Sequence, residues 1–232
     1  WHTSCKEYQR YSIMDVKQTG DYMWKHTSKW LMAFAQKNPD QLAIIVDFVL
    51  LTMRENTNKL TAITKLYGRS QHKIPSFNMK FRKKGSEYMW KNRKKIYKDM
   101  MSILNSDMSG FQKETELYRV FCQIEYINTA KAGFIMALAT PYGGCFDLHN
   151  LAKFNVNKMD IYLDKKNSSM YHETMIIYRV QKHLKRIGGR DAITDSWCID
   201  CSAREPELFP TPEDMCHAHI VWIKDMAKAI NA

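Results

Sequence analysis

The chain has 232 residues, 45% of them hydrophobic and 12% aromatic, which is enough to bury a substantial core and excludes an intrinsically disordered chain. Lys and Arg number 35 against 24 Asp and Glu, a formal charge of +11 with a pI near 9.3, and this suits a polyanionic partner. No apolar run approaches the ~20 residues that a bilayer span needs, so a membrane partner is not expected.

In chain order, residues 1–38 carry two helical patterns, with Trp24, Trp30, Leu31 and Phe34 at helix spacing on a core-facing stripe. Asn38-Pro39-Asp40 is a helix start. The run Leu42 to Met53, apolar except for Asp47, predicts a central buried helix. Gly68 to Gly85, with Pro75 between, is a candidate linker or mobile arm. From Lys80 to Lys98 there are nine basic residues, and Glu87 is the only acid. Phe81, Tyr88, Trp90 and Tyr97 are interleaved with them. A charge run is ordinarily a solvated helix face; this sign bias favours phosphate contact, with Lys83, Lys84, Lys94 and Lys95 as its centre.

A periodic helix over Thr115–Tyr126 leads into the stretch Ile124–Phe154, which holds a turn, a small-residue helix (Ala130–Ala139), a Pro-Tyr-Gly-Gly turn and a helix opening at Asp147. On position alone Asp147 is an N-cap carboxylate. Met159–Ser169 is a polar turn region. Tyr171–Ile187 is an amphipathic helix with Met175, Ile176, Tyr178, Val180 and Leu184 on its apolar side, stopped by Gly188-Gly189. Residues 190–216 read as acidic and irregular, and Met215–Ile230 as a last helix.

The six cysteines are Cys5, Cys122, Cys145, Cys198, Cys201 and Cys216. Cys198, Cys201, Cys216 and His217 could supply zinc ligands, but structural sites normally show four well-spaced ligands. The expectation is no metal cofactor, neither zinc nor iron–sulfur. A core of this size needs no disulfide framework, so a reducing compartment is expected, the cytoplasm or, in a eukaryote, the nucleus.

The residues Ile127-Asn128-Thr129-Ala130-Lys131-Ala132 and Phe146-Asp147-Leu148-His149, with Lys153 after them, resemble the helix-hairpin-helix and catalytic aspartate of the DNA glycosylase superfamily that includes endonuclease III. That family pairs a Gly-x-Gly-x-Lys-Thr-Ala hairpin with a later Val-Asp-Thr-His. Here lysine and aspartate stand 16 positions apart and the hairpin glycines are absent, so Asn128 is the residue expected to take a left-handed backbone. A second stretch, Ile44–Tyr67, resembles the early helix pair of the same superfamily, whose turn fills the gap left by an extruded base; Arg54 or Asn56 occupies that turn. The two stretches cover about 55 of the 232 residues.

The resemblance implies an all-α, two-lobed helix-hairpin-helix fold. One lobe would span roughly residues 40–157 with a basic arm at 69–99, and the second would combine 1–39 with 158–232. It implies a monomeric enzyme that flips a damaged or modified base out of double-stranded DNA and cleaves its N-glycosidic bond. Asp147 would stabilise the charge that builds on the sugar, and Lys131 would be the amine nucleophile of a lyase step. Asn128, Thr129, Ala130 and His149 would contact the DNA. The same scaffold also suits an enzyme that tailors hypermodified pyrimidines in phage DNA, working in the host cytoplasm, or a non-catalytic DNA-binding module in which Asp147 only caps a helix. The iron–sulfur loop of the family is not matched.

Overall fold

A computed structural model describes residues 23–53, 57–67, 79–165 and 168–230, and the regular structure among the described residues is all helical, with no strand. In chain order the helices are α1 (Trp24–Ala35), α2 (Pro39–Thr52), α3 (Thr57–Leu66), α4 (Lys80–Leu104), α5 (Gly110–Cys122), α6 (Thr129–Ala139), α7 (Leu148–Lys153), α8 (Lys158–Ile161), α9 (Met170–Ile187), α10 (Gly189–Arg204) and α11 (Pro212–Ile230). The protein is all-α, as expected.

The centre is α2. Asn38 caps it by accepting the Gln41 amide at 2.9 Å, Pro39 sits in its first turn, and every side chain from Leu42 to Leu51 is buried. Such a helix has no polar face to give to solvent. Its one acid within that run, Asp47, is fully buried and accepts hydrogen bonds from the Trp90 indole at 2.7 Å and from the Tyr67 hydroxyl. Helices α4, α6, α1, α11 and α3 pack around α2. The buried side chains of α1 and of α9 to α11 are continuous with this core. Deep within it, the imidazole of His219 is ringed by Trp24, Phe48, Phe134, Trp197 and Trp222 at centroid distances of 5.1 to 6.2 Å.

Four sequence expectations are corrected. The Gly68–Gly85 linker does not extend to Gly85: α4 begins at Lys80, and Gly85 lies inside it, where a Cβ would stand 3.0 Å from both the Glu125 carbonyl and a Leu50 methyl. Residue 85 is therefore a close crossing of α4 over α2. The basic run is a helix face rather than an arm; residues 69–78 of the expected arm lie outside the described residues. The stretch 190–216 is not irregular, because α10 runs to Arg204 and α11 starts at Pro212. Tyr178, assigned to the apolar side of α9, is exposed, and Ile177 and Gln181 are buried in its place.

Candidate active site

The site is built where α6 and α7 meet through a turn. Asn128 caps α6, accepting the Thr129 amide at 2.8 Å. Its backbone is extended (φ −110°, ψ 176°), so it is not the left-handed residue of the hairpin; that conformation falls to Tyr126 at φ 62°. The Asn128 side chain also bridges the segment after α8, donating to the Leu163 carbonyl at 2.7 Å and accepting the Leu163 amide at 3.0 Å. Thr129 donates its hydroxyl to the Ile161 carbonyl. Both side chains thus brace the hairpin against residues 161–163.

The turn after α6 folds back onto that helix. The Gly144 amide donates to the Gly133 carbonyl at 2.9 Å, and a Cβ on Gly133 would lie 2.2 Å from the Gly144 oxygen. Only a glycine permits this approach. Gly143, at φ +85°, donates its amide to Glu114 at 3.0 Å. Burial raises the Glu114 carboxyl above its ordinary range. The docked turn delivers Asp147 to the start of α7, where Oδ1 accepts the Asn150 amide at 2.9 Å. The N-cap role expected of Asp147 is observed.

Asp147 and Lys131 line the same two cavities. The inner chamber, about 210 Å³, is walled by Phe134, Trp197, Ile193, Thr52, Thr57 and Glu205. The outer groove, about 540 Å³ and mostly apolar, is lined by Met53, Ala130, Leu148, Ile161 and Tyr162. Thr52, Lys131, Asp147 and His149 belong to both cavities and form the neck between them. The Lys131 ammonium lies 5.6 Å from the centre of the Phe134 ring, a cation–π contact. Cys145 is half-buried at the inner wall. Burial pushes its thiol up to about 12, with Lys131 opposing and Asp147 reinforcing the shift, so it is a neutral thiol at pH 7 and a poor nucleophile.

Helix α10 closes the far side. Its Asp200 carboxylate accepts from Lys153 at 2.7 Å and pairs with His149 Nε2 at 2.8 Å. His149 therefore reaches the neck already partnered. Phe134, Thr57, Trp197, Asp200, Arg204 and Glu205 are not singled out by the sequence. Trp197, Asp200 and Arg204 depend on α10, whose helical spacing of Ala192, Ile193, Trp197, Cys198 and Cys201 is the available signal. Arg54 and Asn56 lie outside the described residues; Thr52, Met53 and Thr57 on either side of that segment line the cavities.

The basic face stands on α4. Lys80, Lys83, Lys84, Lys91, Lys94, Lys95 and Lys98 are all exposed. At about 100° per residue they fall within an arc of roughly 120°, along about 27 Å of helix. Lys83 pairs loosely with Glu87 at 4.0 Å, and Lys95 with Asp99 at 2.9 Å. Arg82 points the other way: it is fully buried and donates to the Met53 carbonyl at the end of α2. The basic face and the site are thus connected through one side chain.

Cys198, Cys201 and Cys216 are buried, and His217 is exposed. Burial raises the Cys198 thiol well above its ordinary value, and the neighbouring Cys216 adds to the shift. Among the described residues no group of three or more His, Cys, Asp or Glu side chains is placed to share a metal ion. No helix of the described residues is long and apolar enough to cross a membrane. No protein-family model, no curated protein and no solved structure matches the chain.

Proposed function

We propose that this chain is a helix-hairpin-helix DNA N-glycosylase-like enzyme, in which the exposed lysine face of α4 holds the duplex and the inner chamber receives an extruded base. The observation that carries this reading is the neck: one carboxylate and one amine, Asp147 and Lys131, line both the inner chamber and the outer groove. A base must leave the stack before its glycosidic bond can be reached. With the base inside and the sugar at the neck, cleavage builds positive charge on the sugar beside the Asp147 carboxylate, which is where a fixed negative group lowers the barrier. Water, or the unprotonated Lys131 amine, then bonds to the sugar carbon as the base departs with the bonding electrons and takes up a proton. Attack by the amine leads to a Schiff base and a lyase step. The two-cavity plan also has room for a second reactant beside a pyrimidine, which is the arrangement a base-tailoring enzyme needs.

The test is incubation with duplexes carrying a panel of damaged and modified bases, followed by mass analysis of both DNA and small molecules. Release of a free base supports the glycosylase. A mass gain on a pyrimidine in the presence of an amine donor supports the tailoring reaction. Unchanged DNA across the panel, with binding intact, rejects both in favour of a non-catalytic DNA-binding module.

A further inference from the structure

A second basic cluster, apart from the α4 face, stands on α9. Arg179, Lys182, His183 and Arg186 line a pocket of about 600 Å³ together with Asp160 of α8. The four positions share one face of the helix: at about 100° per residue they fall within an arc of roughly 100°, along ~10 Å of its length. From Thr174 to Arg190 the sequence holds no Asp or Glu, so the opposite-charge lacing of an ordinary solvated face is missing. Cations near a helix C-terminus often serve the macrodipole. Only Lys185 and Arg186 stand in the last turn of α9, so Arg179 and Lys182 need another reason.

The facing wall is built from α8 and the segment that leads into it. Arg186 Nη2 donates to the Phe154 carbonyl of that segment at 2.9 Å, which fixes the guanidinium at one end of the pocket. Arg179 Nη1 stands 3.7 Å from Asp160 Oδ1, a loose pair between two half-exposed side chains. Lys182 and the His183 ring nitrogens have no hydrogen-bond partner among the described residues. Three permanent cations thus face one carboxylate. His183 feels the excess: partial burial lowers its pKa, Arg186 and Lys182 lower it further, and Asp160 opposes them. The pocket also backs onto the candidate site. Phe146 lines the outer groove and meets the His183 ring edge-on at a centroid distance of 6.4 Å. On α8, Lys158 and Ile161 line the groove while Asp160 lines the pocket. Phe146 and α8 are therefore a partition between the two.

We propose that the α9 pocket binds a phosphate group, with Arg179, Lys182 and Arg186 supplying the charge and His183 a ring N–H donor. A phosphate offers several strong acceptor oxygens and up to two negative charges, which suits donors converging from one helix face. The planar guanidinium forks match its geometry, and the lysine adds a point charge. The site is additional to the lysine face of α4 and requires no chemistry at the neck. Its phosphate belongs either to a nucleic-acid strand that runs on from the outer groove across α8, or to a free phosphate-bearing ligand.

The probes are inorganic phosphate and a short DNA duplex, added separately to the full chain at an ionic strength held constant with chloride. The readout is the His183 ring signal in a proton–carbon NMR spectrum, assigned by its loss in His183→Gln. Bound phosphate should move that signal and raise the His183 pKa, because an added anion favours the charged imidazole against Arg179, Lys182 and Arg186. Lys182→Gln breaks no contact among the described residues and should weaken the response about fivefold, the upper end for an exposed ion pair. Changing Lys83, Lys84, Lys94 and Lys95 to Ala should leave the response to inorganic phosphate as it was. A response to the duplex assigns the pocket to a nucleic-acid backbone, and a response to inorganic phosphate alone assigns it to a free ligand. A His183 signal indifferent to both probes, or a response that Lys182→Gln leaves unchanged, overturns the proposal. Base release is not measured, so the pocket can fail while the glycosylase reading stands, and the reverse.

Discussion

Replacing Asp147 by Asn and, separately, by Ala divides its two roles. The side chain caps α7 through one oxygen, accepting the Asn150 amide at 2.9 Å. Asn supplies an equivalent acceptor and ranks with Asp as an N-cap, so Asp147→Asn should leave stability within about 0.5 kcal/mol of the wild type. Asp147→Ala removes the cap and should cost about 1 kcal/mol, read as a fall in melting temperature of roughly 2–4 °C for a chain of this size. Chemistry should respond differently. On the proposed mechanism both variants remove the negative charge beside the forming sugar cation, and loss of one such electrostatic group costs roughly 10²–10³ in rate. Urea titration and single-turnover base release, with DNA affinity measured alongside, separate the effects. The signature is two variants equally slow, equally tight on DNA and unequally stable. Base release by Asp147→Asn at the wild-type rate would refute the reasoning and reduce Asp147 to a helix cap.

Changing Lys83, Lys84, Lys94 and Lys95 to Ala should weaken binding to all DNA sequences alike and flatten the salt dependence by about one unit of slope for each phosphate no longer neutralised; an unchanged slope shows that these lysines face only solvent. Borohydride should trap a protein–DNA adduct that Lys131→Gln abolishes; if Lys131→Gln still yields the adduct, another amine is the nucleophile. Acid stability should reveal two opposed groups. Burial pushes Asp195 up to about 7 and His219 down to about 4. The depressed imidazole contributes stability that is complete above its unfolded value near 6.5 and is lost as pH falls toward 4, whereas the raised carboxyl contributes stability that is lost as pH rises from about 4 to 7. In an Asp195→Asn background, adding His219→Leu should remove a loss of about 3 kcal/mol between those limits, at 1.36 kcal/mol per pH unit, measured by denaturant titration at stepped pH. A pH profile unaltered by adding His219→Leu would rule out the imidazole as its source.

Much of the scaffold is written in local signals. The uninterrupted apolar run of α2 and its Asn38-Pro39 start need no partner to be read, and Gly188 ends α9 in the left-handed conformation at φ 115° that a glycine stop implies. Asp147 as a cap is equally legible, because capping is a contact across three residues. Helix α10 is not, since its acids find their roles only in three dimensions: Asp195 accepts the Trp24 amide at 2.7 Å at the start of α1, and Asp200 joins His149 and Lys153. In sequence these acids interrupt an apolar pattern; in the fold each finds a partner on a helix far away in the chain. The chamber is hidden for the same reason. Thr52, Phe134 and Trp197 come from separate helices, and no spacing rule links them. At the hairpin turn a local preference points to the wrong residue: Asn tolerates a left-handed backbone better than Tyr does, yet Asn128 is held extended by its bonds to Leu163, and Tyr126 takes the turn.

The contact between Gly133 and Gly144 bears on how such a site can change its substrate. Because a peptide oxygen rests where a side chain would otherwise begin, the first turn of α6 and the start of α7 behave as one bracket, with the amine and the carboxylate bolted to it. The opposite wall, with Trp197, Arg204 and Glu205, belongs to a different helix and its end. On the proposed function, substitutions on that wall would alter which ring is admitted while Lys131 and Asp147 keep their spacing. In the proposed enzyme, selectivity and chemistry would be carried on separate mounts, so that one could drift without dismantling the other.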